Sequence, residues 1–303
     1  MDGTESWRGM DHARLEREYD ARGTVADIMP ILAEYRRRTD AAKAALPHHA
    51  GLRYGPTEAE RLDVYPARGA GPAAAAPVFL FIHGGYWRLL DAADSGSMAT
   101  GLVAAGACVV VVNYALAPSV TLEEIVRQCR AALAWVHREI HRYGGDPGAI
   151  HVSGSSAGAH LAAMLAAGGG WQAEFGLPER AVAGATLLSG LYELEPLLRC
   201  LPNDWLRLDA ARARALSPAL LPPPPPGLPI LCSVAPGETG EFRRQTADYR
   251  ARAAGAGCAA ELVPAPGASN HFDIVFALDD PATAIGAALL RAMRLPVPGP
   301  LPA

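Results

Sequence analysis

The sequence predicts an α/β fold: a mostly parallel central sheet flanked by helices, with a helical arm in front. Three observations carry this. Continuous apolar runs, Val78–Ile82 and Cys108–Val112 first among them, alternate with amphipathic stretches of helical length, as strands buried on both faces do. The stretch 149–164 passes from a β-branched run through Gly154-Ser155-Ser156-Ala157-Gly158 into an Ala/Leu-rich segment, a strand-turn-helix. With 303 residues, half of them hydrophobic, the chain has enough apolar surface for a large core.

Residues 11 to 46 read as two helical pieces, one carrying Leu15-Glu-Arg-Glu-Tyr19 and one running from about Val25 to Ala45 before Pro47. Neither joins the β/α alternation. Residues 1–50 are therefore assigned to an N-terminal helical arm packed on the core, and 51–303 to one α/β domain. Strands follow at Leu52–Tyr54 and Arg61–Tyr65. The second alternates Leu62 and Val64 with Arg61 and Asp63, as a half-buried antiparallel edge would. Gly69 to Pro77 is an Ala/Gly/Pro linker. Beyond Cys108–Val112 come a helix over about Leu122–Tyr143, a strand at 150–153 and the helix that follows Ser156. Strands Ala181–Leu188 and Ile230–Val234, a helix over 241–254, a strand Ala260–Val263 and a helix from about Pro281 to Met293 complete the pattern. The tract Leu221–Pro226 is a rigid polyproline spacer leading into strand 230–234.

A net charge of −4 offers no basic footprint for nucleic acid, and no run of 18 apolar residues is available to span a membrane. The polar N-terminus lacks the apolar region of a secretory signal. Five cysteines, an odd number, with Cys108 and Cys232 inside strand-like runs, read as buried thiols in a reducing compartment. A cytoplasmic protein with neither nucleic acid nor membrane as partner is expected. A homodimer is compatible with the sequence, which does not specify it.

Gly154-Ser155-Ser156-Ala157-Gly158 fits G-x-S-x-G, and its strand-turn-helix context makes Ser156 a nucleophile on a sharp elbow. A serine nucleophile needs a base, a group that orients the base, and donors for an oxyanion. Chain order on such a scaffold runs serine, acid, histidine. Only His160 and His271 follow Ser156, and His160 lies inside the elbow helix. His271, in a loop after strand 260–263, is the candidate base. The acid should follow strand 230–234, where Glu238 and Glu241 are the next carboxylates. Glu238 lies in the loop and is favoured. Glu241 stands where a helix begins, a place the helix dipole alone explains. Asp273 reads as a cap for the final segment. Oxyanion donors are expected from the amide of Ala157 and from the loop His83-Gly84-Gly85-Tyr86-Trp87, whose glycines allow close backbone approach. The pair His137/His141 lacks the Glu placement of a zinc helix and His48-His49 lacks partner ligands, so no metal or other cofactor is called for.

At His83-Gly-Gly-Tyr-Trp87 the sequence resembles the kynurenine formamidase (arylformamidase) family of the α/β-hydrolases, whose mark is H-G-G-x-W. The likeness extends through Leu15–Tyr19, Asn113–Pro118, Leu188–Tyr192, Glu241–Gln245 and Asn270–Val275, and covers roughly residues 10 to 295. It implies the α/β-hydrolase fold, Ser156 as nucleophile, His271 as base and the amides of Gly85 and Tyr86 in the oxyanion hole. The family acid, usually Asp, falls on Glu238, a departure from the pattern. The implied reaction is hydrolysis of N-formyl-L-kynurenine to kynurenine and formate in tryptophan degradation. Trp87, Tyr86 and Phe272 are near enough in sequence to the candidate loops to contribute to an aromatic-lined pocket. The alternative is a carboxylesterase for short acyl or aryl esters.

Overall fold

The computed structural model describes residues 7–69 and 75–297, so part of the expected linker at 69–77 lies outside the described residues. In chain order the elements are α1 (His12–Tyr19), α2 (Met29–Ala45), β1 (His49–Arg53), β2 (Arg61–Tyr65), β3 (Ala76–Ile82), α3 (Ala99–Ala104) and β4 (Cys108–Val112). Then come α4 (Leu122–Glu139), β5 (Gly145–Ser155), α5 (Ala157–Ala166), β6 (Gly184–Leu188), α6 (Asn203–Leu206) and α7 (Ala210–Ala215). The chain closes with β7 (Pro229–Ser233), α8 (Gly240–Gly255), β8 (Ala259–Leu262) and α9 (Ala284–Ala292).

The eight strands form one sheet in the order β1-β2-β4-β3-β5-β6-β7-β8. Only β2 runs against its neighbours, antiparallel to both β1 and β4. The apolar runs alternate sides as the pleat requires. Val78, Leu80 and Ile82 of β3 pack with Val110 and Val112 on one face, while Phe79 and Phe81 pack with Val109 and Val111 on the other. A strand covered on both faces can carry no polar side, which is why these segments read as unbroken apolar runs. Parallel register then aligns the strand ends that matter. Ile82 pairs with Gly154, Ser155 with Leu188, and Leu188 with Ser233. The loops after β3, β5, β6 and β7 therefore leave the sheet side by side.

Several expectations are corrected. Arg61–Tyr65 is antiparallel but not an edge, because β1 covers its outer side. Asp63 is accordingly buried, and pairs with Lys43 at 2.8 Å and the Gly51 amide at 2.8 Å. The strand expected at 150–153 runs over Gly145–Ser155; the Asp-Pro-Gly in its first half imitates a turn, and a register irregularity absorbs it. The strand expected from Ala181 begins only at Gly184. The helix from Leu122 changes at Ile140 into a 3₁₀ turn. The short helices α3, α6 and α7 have too few turns to show a period in the sequence. Among the described residues no helix is long and apolar enough to cross a membrane.

Three histidines are enclosed in this frame. His151 faces Thr186 (2.9 Å), His160 the Leu216 carbonyl (2.7 Å), and His83 stacks on Tyr114 with ring centroids 4.1 Å apart. Burial pushes His83 and His160 down to about 4, and His151 to about 3, from an ordinary 6.5. The unfolded chain binds these protons first, so the stability the three neutral rings contribute is complete above pH 6.5 and is lost as pH falls toward 4. Each histidine contributes on the order of 3 kcal/mol to that loss. Thermal melts are expected to show Tm falling steeply between pH 6.5 and 4, with a shallower slope in His151→Gln. A flat Tm across this range would contradict the burial of all three as neutral rings.

Candidate active site

The elbow is built by glycines. β5 ends at Ser155, Ser156 adopts φ +57° and ψ −122°, and α5 starts at Ala157. Positive φ at a serine costs about 1–3 kcal/mol, and it persists here because the backbone is pinned on both sides. The Ser156 amide donates to the Leu188 carbonyl (2.8 Å), and the His160 amide to the Ser156 carbonyl (3.1 Å). A Cβ on Gly154 would stand 2.2 Å from the Gly158 carbonyl carbon, and one on Gly158 2.0 Å from the Ile82 oxygen. No side chain fits either gap, so G-x-S-x-G is a packing requirement of the crossing strand and helix.

Beside the elbow lies the loop after β3. A Cβ on Gly84 would be 2.8 Å from the Ser155 oxygen and 3.3 Å from the Ser156 Cβ, so this backbone lies directly against the serine. Among the described residues, the backbone N–H groups of Gly85, Tyr86 and Ala157 have no intramolecular acceptor. The Tyr114 hydroxyl holds the base of the loop by donating to the His83 carbonyl (2.9 Å).

His271 is buried, with Nδ1 2.6 Å from Glu238 Oε2. Its ring is packed by Phe242 (centroids 4.6 Å apart) and by Phe272, edge-on at 5.2 Å. A carboxylate at Nδ1 fixes the N–H there and leaves Nε2 as the basic nitrogen. The other Glu238 oxygen accepts from the Ala235 amide at 2.8 Å and from the Ser189 hydroxyl. Glu238 thus has an acceptor role on both oxygens and sits almost out of water, at 4 % exposure. These donors offset the cost of taking a polar side chain out of water. Its loop and that of His271 touch: a Cβ on Gly237 would lie 2.4 Å from the Ser269 oxygen.

The structure places Glu241 elsewhere. Its Oε2 accepts from the Tyr19 hydroxyl (2.7 Å) and from Arg244 (2.7 Å). Burial acts to raise this carboxyl, but Arg244 and Tyr19 outweigh it and hold it below its ordinary range. Asp273 accepts from the amides of Ser269 and Asn270, both at 3.0 Å, and so fastens the turn that presents His271. Of the expected aryl-pocket residues, Phe272 is half-buried next to His271. Trp87 has no exposed surface at all; its indole stands edge-on against His160 at 5.0 Å, so it supports the loop from inside. Half-buried Trp205, which no motif marks in the sequence, lies against Tyr86, with its Nε1 3.0 Å from the Tyr86 carbonyl. Ser189 was also missed. Its signal was present in Leu188-Ser189-Gly190 directly after a parallel strand, next to the position where the Glu238 loop emerges.

A mostly parallel eight-stranded sheet flanked by helices, with a serine at positive φ on the turn from β5 into α5, is the architecture of an α/β hydrolase. The comparisons agree. Residues 79–222 match a family described as having the alpha/beta hydrolase fold. A crystal structure of a proposed thioesterase from Silicibacter sp. TM1040 superposes with a TM-score of 0.76 at 24% identity, covering 90% of this chain and 98% of that one. The kynurenine formamidase of Salmo salar is 30% identical over 298 residues, 95% of this chain and 98% of its own. The esterase LipQ of Mycobacterium tuberculosis is 31% identical over 188 residues, 60% of this chain and 43% of its own. The chain belongs to the kynurenine formamidase family, and it is a hydrolase of amide or ester bonds.

Proposed function

We propose that this protein is an arylformamidase that hydrolyses N-formyl-L-kynurenine to L-kynurenine and formate through Ser156, His271 and Glu238. The observation that carries this reading is the likeness to the Salmo salar formamidase over nearly the full length of both chains. In the proposed reaction Ser156 Oγ attacks the formyl carbon while His271 Nε2 takes its proton. Glu238 holds the imidazole by Nδ1 and balances the imidazolium. The amides of Gly85, Tyr86 and Ala157 receive the oxyanion, preorganised donors of which each is worth about 3–4 kcal/mol in the transition state. His271 then protonates the leaving aniline nitrogen, and water releases formate from the serine. A formyl group needs little acyl space, in keeping with a serine that is only 7 % exposed. On the arylamine side, the half-buried rings of Tyr86, Trp205 and Phe272 supply aromatic surface.

The likeness to an esterase favours a second reading, a carboxylesterase acting with the same residues. Measuring kcat/KM on N-formyl-L-kynurenine and p-nitrophenyl acetate with one preparation separates the two. The formamide is expected to be preferred by about 100-fold, equivalent to roughly 2.7 kcal/mol of transition-state discrimination. The reverse ranking would make the protein an esterase.

A further inference from the structure

The oxyanion loop is held in an unfavourable shape. Gly85 has φ +91°, and two non-glycine residues follow it at positive φ, Tyr86 at +50° and Trp87 at +58°. L side chains resist that region, and a consecutive pair stays there only where surrounding bonds over-determine it. Three such bonds come from distant parts of the chain. The Tyr86 hydroxyl donates to the Tyr19 carbonyl at the end of α1 (2.6 Å). The Trp205 indole N–H donates to the Tyr86 carbonyl (3.0 Å), and the Ala117 amide to the Trp87 carbonyl (2.8 Å). Rings reinforce them: Trp205 meets Tyr86 edge-on at 6.3 Å, and the Arg88 guanidinium stands 4.8 Å over Trp205.

The anchor on the α1 side is itself anchored. The Tyr19 hydroxyl donates to Glu241 and accepts from Gln245 (2.8 Å), while Glu241 is paired with Arg244. Glu18 accepts from the Glu241 amide (2.9 Å), and the Thr239 hydroxyl donates to the Glu18 carbonyl (2.6 Å). On the other side, Glu16 accepts from the Leu201 amide (2.8 Å), two residues before α6. Helix α1 is thereby stitched to the start of α8 and to the segment that carries Trp205.

We propose that Trp205 and Tyr19 are positioning residues that clamp Tyr86 between the N-terminal arm and α6, and so set the direction of the Gly85 and Tyr86 amides toward the developing oxyanion. The arm is then part of the catalytic apparatus, and Glu241 acts through Tyr19. This rests on the reading of Gly85 and Tyr86 as oxyanion donors. A clamp of this kind serves the transition state more than the ground state, because only the former places negative charge on the oxygen that the amides face.

The test compares wild type with Trp205→Phe and Tyr86→Phe, each of which keeps an aromatic ring and loses one hydrogen bond, and with Trp205→His, which keeps an N–H. Steady-state kinetics on N-formyl-L-kynurenine and p-nitrophenyl acetate are combined with binding of phenyl trifluoromethyl ketone, which adds to the serine and forms an oxyanion. Both Phe variants are expected to lose about 10- to 100-fold in kcat with KM within about threefold, and to lose the same factor in ketone affinity. Affinity for aniline, a ground-state ligand, should stay within about twofold, and Trp205→His should recover part of the loss. A merely structural role would lower Tm without separating ketone from aniline. Retention of kcat and ketone affinity within about twofold by both Phe variants overturns the clamp. If wild type forms no ketone adduct that depends on Ser156, the underlying assignment of the site fails instead.

Discussion

Ser156→Ala is expected to abolish hydrolysis, with kcat/KM falling on the order of 10⁴- to 10⁶-fold. Nothing in the fold requires the hydroxyl. The backbone contacts that pin the elbow run through the Ser156 amide and carbonyl, which alanine retains. The glycines that admit the tight crossing are also untouched. Alanine at φ +57° carries the same strain as serine, so Tm should change little. The variant must be expressed free of contaminating esterases, and the assay followed long enough to resolve the residual rate. Activity within tenfold of wild type would remove Ser156 from the mechanism.

The second large effect concerns Glu238, the acid of the proposed mechanism. Glu238→Gln keeps the shape of the side chain and removes its charge, so the imidazolium formed at His271 loses its counter-ion and the ring its preferred tautomer. A loss on the order of 10³- to 10⁴-fold in kcat is expected. Glu241→Gln should cost less than about tenfold in rate, because Glu241 bonds Tyr19 and Arg244 and not His271. Glu238→Asp restores the residue usual in the family but shortens the reach by one methylene. In this chain Glu238 bonds its own turn at Ala235, Ser189 and His271 together. Aspartate must surrender part of that set, so activity is expected to survive at a reduced level. If Glu241→Gln eliminates activity with the fold intact and Glu238→Gln does not, the acid has been placed one helical turn too early.

The difference between these two glutamates also marks how far the sequence reached. Their positions after β7 were readable, and so was the chain order of Ser156, the two glutamates and His271. What separates them is the partner of each carboxylate. Glu238 meets a serine 49 positions away in the chain, and Glu241 meets a tyrosine 222 positions away. No local pattern encodes such pairs. Trp87 illustrates the converse: its place in the loop after β3 suggests a pocket wall, yet the fold turns it inward against His160. Proximity along the chain located the loop without giving the direction of its side chains.

By itself the sequence determined the mostly parallel sheet, the sharp turn at Ser156 and the loops on which the candidate residues stand. These rest on short-range physics: apolar runs for strands covered on both faces, glycines where a Cβ cannot fit, and an amphipathic period for the long helices. The tertiary structure alone decided that β2 is an inner strand with a buried Asp63, that Ser189 holds Glu238, and that Tyr19 and Trp205 grip Tyr86. Each of these is a hydrogen bond or a burial created only when distant segments meet. Their strength comes from excluding water around groups that, in the unfolded chain, are fully hydrated and have no reason to prefer one another.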